Sequence, residues 1–314
     1  MRVAAIDCGT NSIRLLVADV DEATNTLTDL VREMQVVRLG QGVDRSGELN
    51  PEALQRTFLA IDGYAKTIAE LGAERVRFVA TSATRDARNR DVFVRGVQER
   101  LGVSPQVVSG QEEAALSFVG ATKVFGARHQ GPFLVVDLGG GSTEVVLGDD
   151  QVIAGGSMNV GCVRMAERHL LSDPPSVVEL QAAQVDIRKA LDLAGQSVDF
   201  GACKTLVGLA GSVTTVTAHA LGLQKYEPEK INGAVLPVDV ILNACLDLVH
   251  RDKDSRSALG FMHPGRVDVI AAGALVWAEV VTYVREKVAL TGGNLESVLT
   301  SEHDILDGIA WSLL

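Results

Sequence analysis

Aromatic side chains are scarce: 8 phenylalanines, 3 tyrosines and 2 tryptophans make up 4% of the 314 residues. Single-strand nucleic-acid binders stack bases on such rings, so this composition excludes an extended stacking platform. Basic residues are outnumbered, 29 against 40 acids, for a formal net charge of −11. A negative surface repels duplex phosphates, which argues against a nucleic-acid partner. Cysteine is confined to Cys8, Cys162, Cys203 and Cys245, far apart, with neither a C-x-x-C pair nor a nearby His cluster. That spacing speaks against a disulfide framework or a zinc site and for reduced, buried thiols. No long apolar run is free of charge. The longest, residues 267–284, contains Asp268 and Glu279, and a membrane span would have to bury both. It reads as the core helix of a soluble protein. Residues 1–20 are interrupted by Arg2, Asp7, Arg14 and Asp19 and lack the apolar centre of a signal peptide. The expected compartment is therefore the cytoplasm, with no membrane partner.

Against these absences stand 46% hydrophobic residues, enough for a packed core, and 31 glycines, which suggest small-residue packing and many tight turns. The length predicts two domains. Residues 2–8 and 13–19 read as two short strands around a glycine-bearing turn, and residues 133–148 repeat that plan 130 positions later. Each copy carries Asp-x-Gly at a strand end, so an internal duplication is expected. Between the copies, helices are predicted over 51–71, 91–101 and 111–125, and strands over 76–81 and 106–109. After them come a strand over 151–155, helices over 162–171 and 177–193, and a strand over 205–209 leading into another helix. The remainder reads as mostly helical, with a short strand over 295–300 and a last helix over 301–314. Strands alternating with helices predict an α/β fold. The Gly- and Pro-bearing stretch 126–132 is the expected boundary, giving domains 1–126 and 127–314, with the last helix able to pack back on the first.

Four motifs bear chemistry. In the two Asp-x-Gly turns, glycine permits the backbone conformations that converge N–H groups on an anion. Gly139, Gly140 and Gly141 supply such donors, and Ser142 and Thr143 add hydroxyls. Asp7, Asp137 and Glu144 stand beside the turns, where a hydrated Mg²⁺ bridging to phosphate would sit. Either turn alone is an ordinary Asp-capped hairpin; the duplicated pair points to a bilobed phosphate site. Neither matches the Walker pattern, because no Gly-Lys-Ser/Thr follows. Next, Glu112 and Glu113 in Ser109-Gly-Gln-Glu-Glu113-Ala open a helix. There they complement its dipole, or one of them is a general base for an attacking water. Third, residues 75–100 hold seven arginines, no lysine and three acids, a local +4. Arg85 follows a strand directly, where ligand loops sit in α/β sheets, whereas Arg95 and Arg100 fit a solvated helix face. Fourth, Gly211-Ser212 lies between a strand and a helix, an anion or nucleotide site by physics but weak as a lone motif.

Taken together, these segments resemble the exopolyphosphatase/guanosine pentaphosphatase (Ppx/GppA) family of the actin–Hsp70–sugar kinase superfamily. The likeness rests on Ala5-Ile-Asp7-Cys-Gly9-Thr-Asn11-Ser12, Thr81-Ser-Ala-Thr-Arg85, Ser109-Gly-Gln-Glu-Glu113-Ala, Asp137-Leu-Gly-Gly-Gly-Ser-Thr-Glu144, Gly208-Leu-Ala-Gly-Ser212, Asp268-Val-Ile-Ala-Ala-Gly273-Ala and Ser301-Glu-His-Asp-Ile-Leu-Asp-Gly308. It implies two ribonuclease H-like domains with an interdomain active-site cleft. It also implies Glu113 as general base, Asp7, Asp137 and Glu144 around Mg²⁺ (or Mn²⁺), and Asn11, Ser12, Arg14 and Arg85 on phosphate. The implied activity is Mg²⁺-dependent release of orthophosphate from inorganic polyphosphate, by in-line attack of water. Larger members carry an added C-terminal helical domain; a chain ending at Leu314 is expected to lack it and to favour shorter polyphosphates. The alternatives are hydrolysis of the 5′-γ-phosphate of pppGpp, a non-hydrolysing polyphosphate or alarmone sensor, and, more remotely, a kinase or ATPase. A homodimer is compatible with the sequence, which does not fix the oligomeric state. The acidity also proves uneven: residues 1–125 carry a net −2 and the rest −9. A phosphate chain is thus expected to be gripped locally, by arginine and metal.

Overall fold

The strand–turn–strand unit expected twice is present twice, at corresponding places in two sheets. The computed structural model describes residues 1–24, 26–125 and 129–314. They divide into one unit of Met1–Gly120 with Asp304–Leu314, and a second of Ala121–His303. The boundary stretch expected over 126–132 falls partly on residues 126–128, which lie outside the described residues.

The first unit begins with β1 (Arg2–Cys8), β2 (Ser12–Asp21) and β3 (Thr26–Val36). It continues through α1 (Val43–Ser46), α2 (Pro51–Leu71), β4 (Arg75–Ala80), α3 (Ser82–Asp86), α4 (Arg90–Leu101), β5 (Gln106–Val107) and the first part of α5 (Gly110–Phe125), which runs on into the second unit from Ala121. Its sheet runs in the order β3-β2-β1-β4-β5, an antiparallel meander of three strands with β4 and β5 added in parallel. The run Val3-Ala-Ala-Ile6 is continuously apolar because β1 is covered on both faces. Ala4, Ile6 and Cys8 join Tyr64, Phe78 and Phe93 on one side, and Val3 and Ala5 join Ile305, Leu306 and Ile309 on the other. The α2 helix spans the residues expected. Asn50 caps it by accepting the Glu52 N–H at 2.8 Å, Pro51 takes the first turn, and Gly72 ends it at φ 66°.

The second unit contains β6 (Phe133–Leu138), β7 (Thr143–Gly148), β8 (Val152–Met158), α6 (Cys162–His169), α7 (Val177–Ala194), β9 (Thr205–Leu209) and α8 (Ala210–Ala220). After these come α9 (Pro228–Ile231), β10 (Val235–Pro237), α10 (Val238–His250), α11 (Lys253–Ser257), α12 (Ile270–Leu290) and β11 (Ser297–Thr300). Its sheet order is β10-β11-β9-β6-β7-β8. Leaving aside β10, this repeats the first sheet strand for strand, with the same parallel and antiparallel pairings. Asp7 lies opposite Arg14 on β2 and Val79 on β4; Asp137 lies opposite Glu144 on β7 and Leu209 on β9. A displacement of 130 residues thus carries Asp7, Gly9, Ser12 and Ser82 onto Asp137, Gly139, Ser142 and Ser212.

Three expectations need correction. Strand β3 was not expected, because its Asp29, Arg32 and Glu33 hide the period; as an edge strand it buries little and tolerates charge. The three-residue edge strand β10 escaped for the same reason of low burial. The last helix, α13, runs only over Ile305–Trp311, in the first unit, instead of 301–314. Asp304 starts it: its side chain accepts the Leu306 N–H at 3.0 Å, while Asp307 reaches back to the Asp304 N–H at 3.0 Å. It packs so closely on α5 that a Cβ at Gly308 would lie 2.0 Å from the Leu116 carbonyl oxygen, and one at Gly120 would lie 1.8 Å from that of Asp304.

The apolar stretch 267–284 supplies most of α12, the central core helix of the second unit. Its Glu279 is held by Arg188 Nε at 2.5 Å and Gln184 Nε2 at 3.0 Å, and Asp268 precedes the helix, paired with Lys253. Among the described residues no helix is long and apolar enough to cross a membrane. All four cysteines are free and buried.

Candidate active site

The glycine turn between β6 and β7 is held from behind by the start of α6. That helix has no side-chain cap; its first N–H groups are taken up by the turn's own carbonyls. Cys162 N–H donates to the Gly139 oxygen at 3.0 Å, and Val163 and Arg164 N–H donate to the Gly140 oxygen at 2.8 and 3.1 Å. The Arg164 side chain takes the third carbonyl, Nε donating to the Gly141 oxygen at 2.6 Å. In a trans peptide the C=O and the following N–H point opposite ways. With three successive carbonyls turned towards α6, the N–H groups of Gly140, Gly141 and Ser142 face the other side. Consecutive donors on one side form an anion-binding concavity. Thr143 Oγ1 donates to the Val160 carbonyl at 2.6 Å and fixes the exit of the turn.

Gly161, just before α6, admits no side chain: a Cβ there would lie 2.5 Å from the Gly140 carbonyl atoms and 2.7 Å from the Gly141 nitrogen. Gly161→Ala must therefore push the turn aside. Because sub-ångström displacement of positioned donors is costly, affinity for an inorganic phosphate chain is expected to fall about tenfold, as read by calorimetry.

Asp137 and Glu144 face one another across β6 and β7, so their side chains share a face, with Cβ atoms ~5 Å apart in such pairs. Both are buried, and Ser157 Oγ donates to Glu144 Oε1 at 2.7 Å. Two hard carboxylates side by side suit a divalent cation as counter-charge. Among the described residues no three His, Cys, Asp or Glu side chains form a ready-made cage. Mg²⁺ does not require one, because it keeps several waters and takes one or two carboxylates together with substrate phosphates.

In the first unit the corresponding turn is closed the same way, Gly9 N–H donating to the Ser12 oxygen at 3.0 Å as Gly139 does to Ser142. Here the carbonyl-side grip comes from the segment after β3. Val37 and Arg38 N–H donate to the Asn11 oxygen at 3.1 and 2.8 Å, and Gly40 N–H donates to the Thr10 oxygen at 2.8 Å. This grip holds Arg38 at φ 51°. Asn11 Oδ1 is shielded from solvent without a hydrogen-bond partner. Arg14 stands where the second unit has Glu144, and it brings its own cation to Asp7. Its Nε and Nη2 donate to Asp7 Oδ2 at 3.0 and 2.6 Å, and its Nη1 donates to Asp304. Desolvation pushes the Asp7 carboxyl above its ordinary range, Arg14 draws it back down, and Asp304 raises it further.

The two acids that open α5 have separate fates. Glu112 is exposed and bonded to Arg77 Nη2 at 2.7 Å. Glu113 is 7% exposed, and its Oε2 accepts from Arg85 Nη1 at 2.9 Å. The same Nη1 also donates to the Val108 carbonyl at 3.0 Å, which ties the pair to the strand end beside it. A buried carboxylate oriented by a third group is the arrangement a general base requires. Arg95 is exposed, as expected, whereas Arg100 lies half-buried over the Phe58 ring at 4.3 Å.

Gly211 and Ser212 open α8 after Ala210, which is held at φ 68°. Ser212 is buried, and Gly211 lies beneath the Arg266 guanidinium, whose Nη1 donates to Thr215 Oγ1 at 3.2 Å. Arg266 and Arg164 had not been singled out as candidates. One sits alone in a Pro-Gly-Arg turn and the other within a helix, and neither place marks an arginine as unusual.

Two copies of a β3-β2-β1-β4-β5 sheet, each with an Asp-bearing turn between its first two strands, define a duplicated ribonuclease H-like fold of the actin–Hsp70–sugar kinase class. Within that class the chain belongs to the Ppx/GppA phosphatase family, whose pattern matches residues 16–302. It is 47% identical to exopolyphosphatase 2 of Mycobacterium tuberculosis, over 99% of this chain and 98% of that one. Over 60% of this chain and 37% of the other, it is 36% identical to guanosine-5′-triphosphate,3′-diphosphate pyrophosphatase of Pseudoalteromonas atlantica. Among solved structures, an exopolyphosphatase-like protein matches with a TM-score of 0.96 and 43% identity, covering 99% of this chain and 97% of that one.

Proposed function

We propose that the protein is an exopolyphosphatase, hydrolysing the terminal phosphoanhydride bond of inorganic polyphosphate and releasing orthophosphate. The observation that carries this reading is the glycine turn, whose three carbonyls are all taken from behind so that Gly140, Gly141 and Ser142 offer their N–H groups together. Full-length likeness to a relative named exopolyphosphatase supports it.

In this reading the terminal phosphoryl group lies against the N–H groups of Gly140, Gly141 and Ser142 and the Ser142 hydroxyl, with Gly211 and Ser212 bordering it. The Gly139 N–H and the Thr143 hydroxyl, expected on phosphate, instead brace the turn through the Ser142 and Val160 carbonyls. Asn11, Ser12 and Arg14 serve the phosphates at the first turn. Glu113, oriented by Arg85, accepts a proton from the attacking water. Asp137 and Glu144 would hold Mg²⁺ (or Mn²⁺), which supplies charge neutralisation on the phosphate oxygens. Asp7, which the resemblance also assigns to the metal, is engaged by Arg14. The protein forms no covalent intermediate, so positioning and charge complementarity carry the rate. Four free, buried thiols fit the reducing cytoplasm.

Two results test the metal assignment. Chelation is expected to abolish phosphate release, and Asp137→Asn is expected to raise the Mg²⁺ concentration for half-maximal rate at least about tenfold, the scale seen when a metal site is weakened. Normal turnover in excess chelator would remove the metal from the account.

The second reading, hydrolysis of the 5′-γ-phosphate of pppGpp, uses the same residues and is favoured by the likeness to the Pseudoalteromonas pyrophosphatase. Phosphate release from tripolyphosphate, long-chain polyphosphate and pppGpp, measured side by side, separates the two. Rates on pppGpp exceeding both polyphosphates would favour the second. Binding without any release would make the protein a sensor.

A further inference from the structure

We infer that Arg164 is a positioning residue for the glycine turn, holding the Gly141–Ser142 peptide so that the Ser142 N–H faces the phosphate chain. The inference rests on the exopolyphosphatase reading for the identity of the ligand and goes beyond it in the residue assigned.

The first three N–H groups of α6 are used on two carbonyls, those of Gly139 and Gly140. The Gly141 carbonyl receives the Arg164 guanidinium instead, at 2.6 Å. Without that bond the Gly141–Ser142 peptide lacks this anchor, in a run of glycines whose backbone rotates at little cost. Arg164 is half-buried, and its own N–H is fixed on the Gly140 oxygen at 3.1 Å, so the side chain starts from an anchored backbone. One residue thereby grips two successive peptides of the turn. The first unit supports the role: there too the segment following the third strand grips the turn carbonyls, but through backbone N–H groups of Val37, Arg38 and Gly40. The grip recurs in both copies of the fold, and in the second its last bond is a side chain's.

The experiment is equilibrium binding of tripolyphosphate to the Glu113→Gln protein, alone and combined with Arg164→Met or Arg164→Lys. Methionine keeps the apolar stem and removes the donor; lysine keeps a charged donor. Arg164→Met is expected to raise Kd at least about tenfold, one lost positioned bond, while Arg164→Lys recovers most of the affinity. The melting temperatures of all three are expected to agree within a few °C, because the apolar stem stays in place and one bond is changed in a chain of 314 residues. Equal Kd for the methionine variant and its parent would overturn the inference, and so would methionine and lysine variants equally weak. Wild-type protein that binds tripolyphosphate but releases no orthophosphate overturns the exopolyphosphatase reading and leaves Arg164 in place. A parent protein that binds no tripolyphosphate overturns both.

Discussion

Glu113→Gln is expected to lower orthophosphate release by about 10²–10⁴-fold, the contribution of a positioned general base, while the protein stays folded and still binds tripolyphosphate. The geometry explains why the loss should be this selective. Glutamine has the shape of glutamate, and its side-chain oxygen can still accept from Arg85 Nη1, so the bond that orients the group survives. What disappears is the ability to take a proton. Glu112 cannot stand in, since it is exposed and bonded to Arg77 on the outer side of the same helical turn. Its replacement by glutamine is expected to leave turnover close to wild type, so the two neighbouring variants form a matched pair. A steady-state assay of released phosphate, with tripolyphosphate binding measured in parallel, checks both. Near-wild-type turnover in Glu113→Gln would displace the base.

Asp7→Asn is expected to reduce turnover by about 10–100-fold, the scale of removing a carboxylate that supports a metal site, without lowering thermal stability. The asymmetry follows from burial. In the folded state the Asp7 carboxyl titrates above its ordinary range, with desolvation the largest cause. A carboxyl with a raised folded value binds its proton more tightly when folded. Its stabilising contribution is therefore present at low pH and is lost as pH rises through that folded value. Above that folded value the loss is complete, and asparagine, which has no charge to desolvate, avoids it while still accepting from Arg14. Arg14 then keeps Asp304 as its charged partner, a neutral pair instead of an arginine between two acids. The melting temperature of Asp7→Asn is expected to equal or exceed wild type at pH above the folded value, and the difference should shrink as pH falls through it. A variant that melts well below wild type at neutral pH would show Asp7 to be a structural ion-pair partner first.

Much of this was legible in residue order, for a definite physical reason. Strands buried on both faces, such as Val3-Ala-Ala-Ile6 and Phe133-Leu-Val-Val136, leave unbroken apolar runs, and tight turns demand glycine, so the duplicated hairpins stood out. Helix α2 declared both ends, through Asn50-Pro51 and Gly72. Elements that bury little left no such mark: β3 carries charges along an exposed edge, and β10 is three residues long. The start of α13 depended on the reciprocal bonds of Asp304 and Asp307, which a run of helix-compatible residues does not reveal. At the candidate site, residue types and turn positions were readable and pairings were not. The family resemblance placed Arg14 and Arg85 beside phosphate. The structure shows what each also does within the protein, Arg14 joining Asp7 to Asp304 and Arg85 orienting Glu113. Arg164 was invisible because its significance lies in a single bond to a main-chain carbonyl.

The most direct measurement is a ³¹P NMR time course of purified protein with Mg²⁺ and long-chain polyphosphate. Removal of terminal phosphates one at a time predicts orthophosphate as the small product from the first minutes, with the mid-chain signal falling in proportion. An unchanged spectrum, or mid-length fragments appearing before orthophosphate, would contradict the exopolyphosphatase assignment.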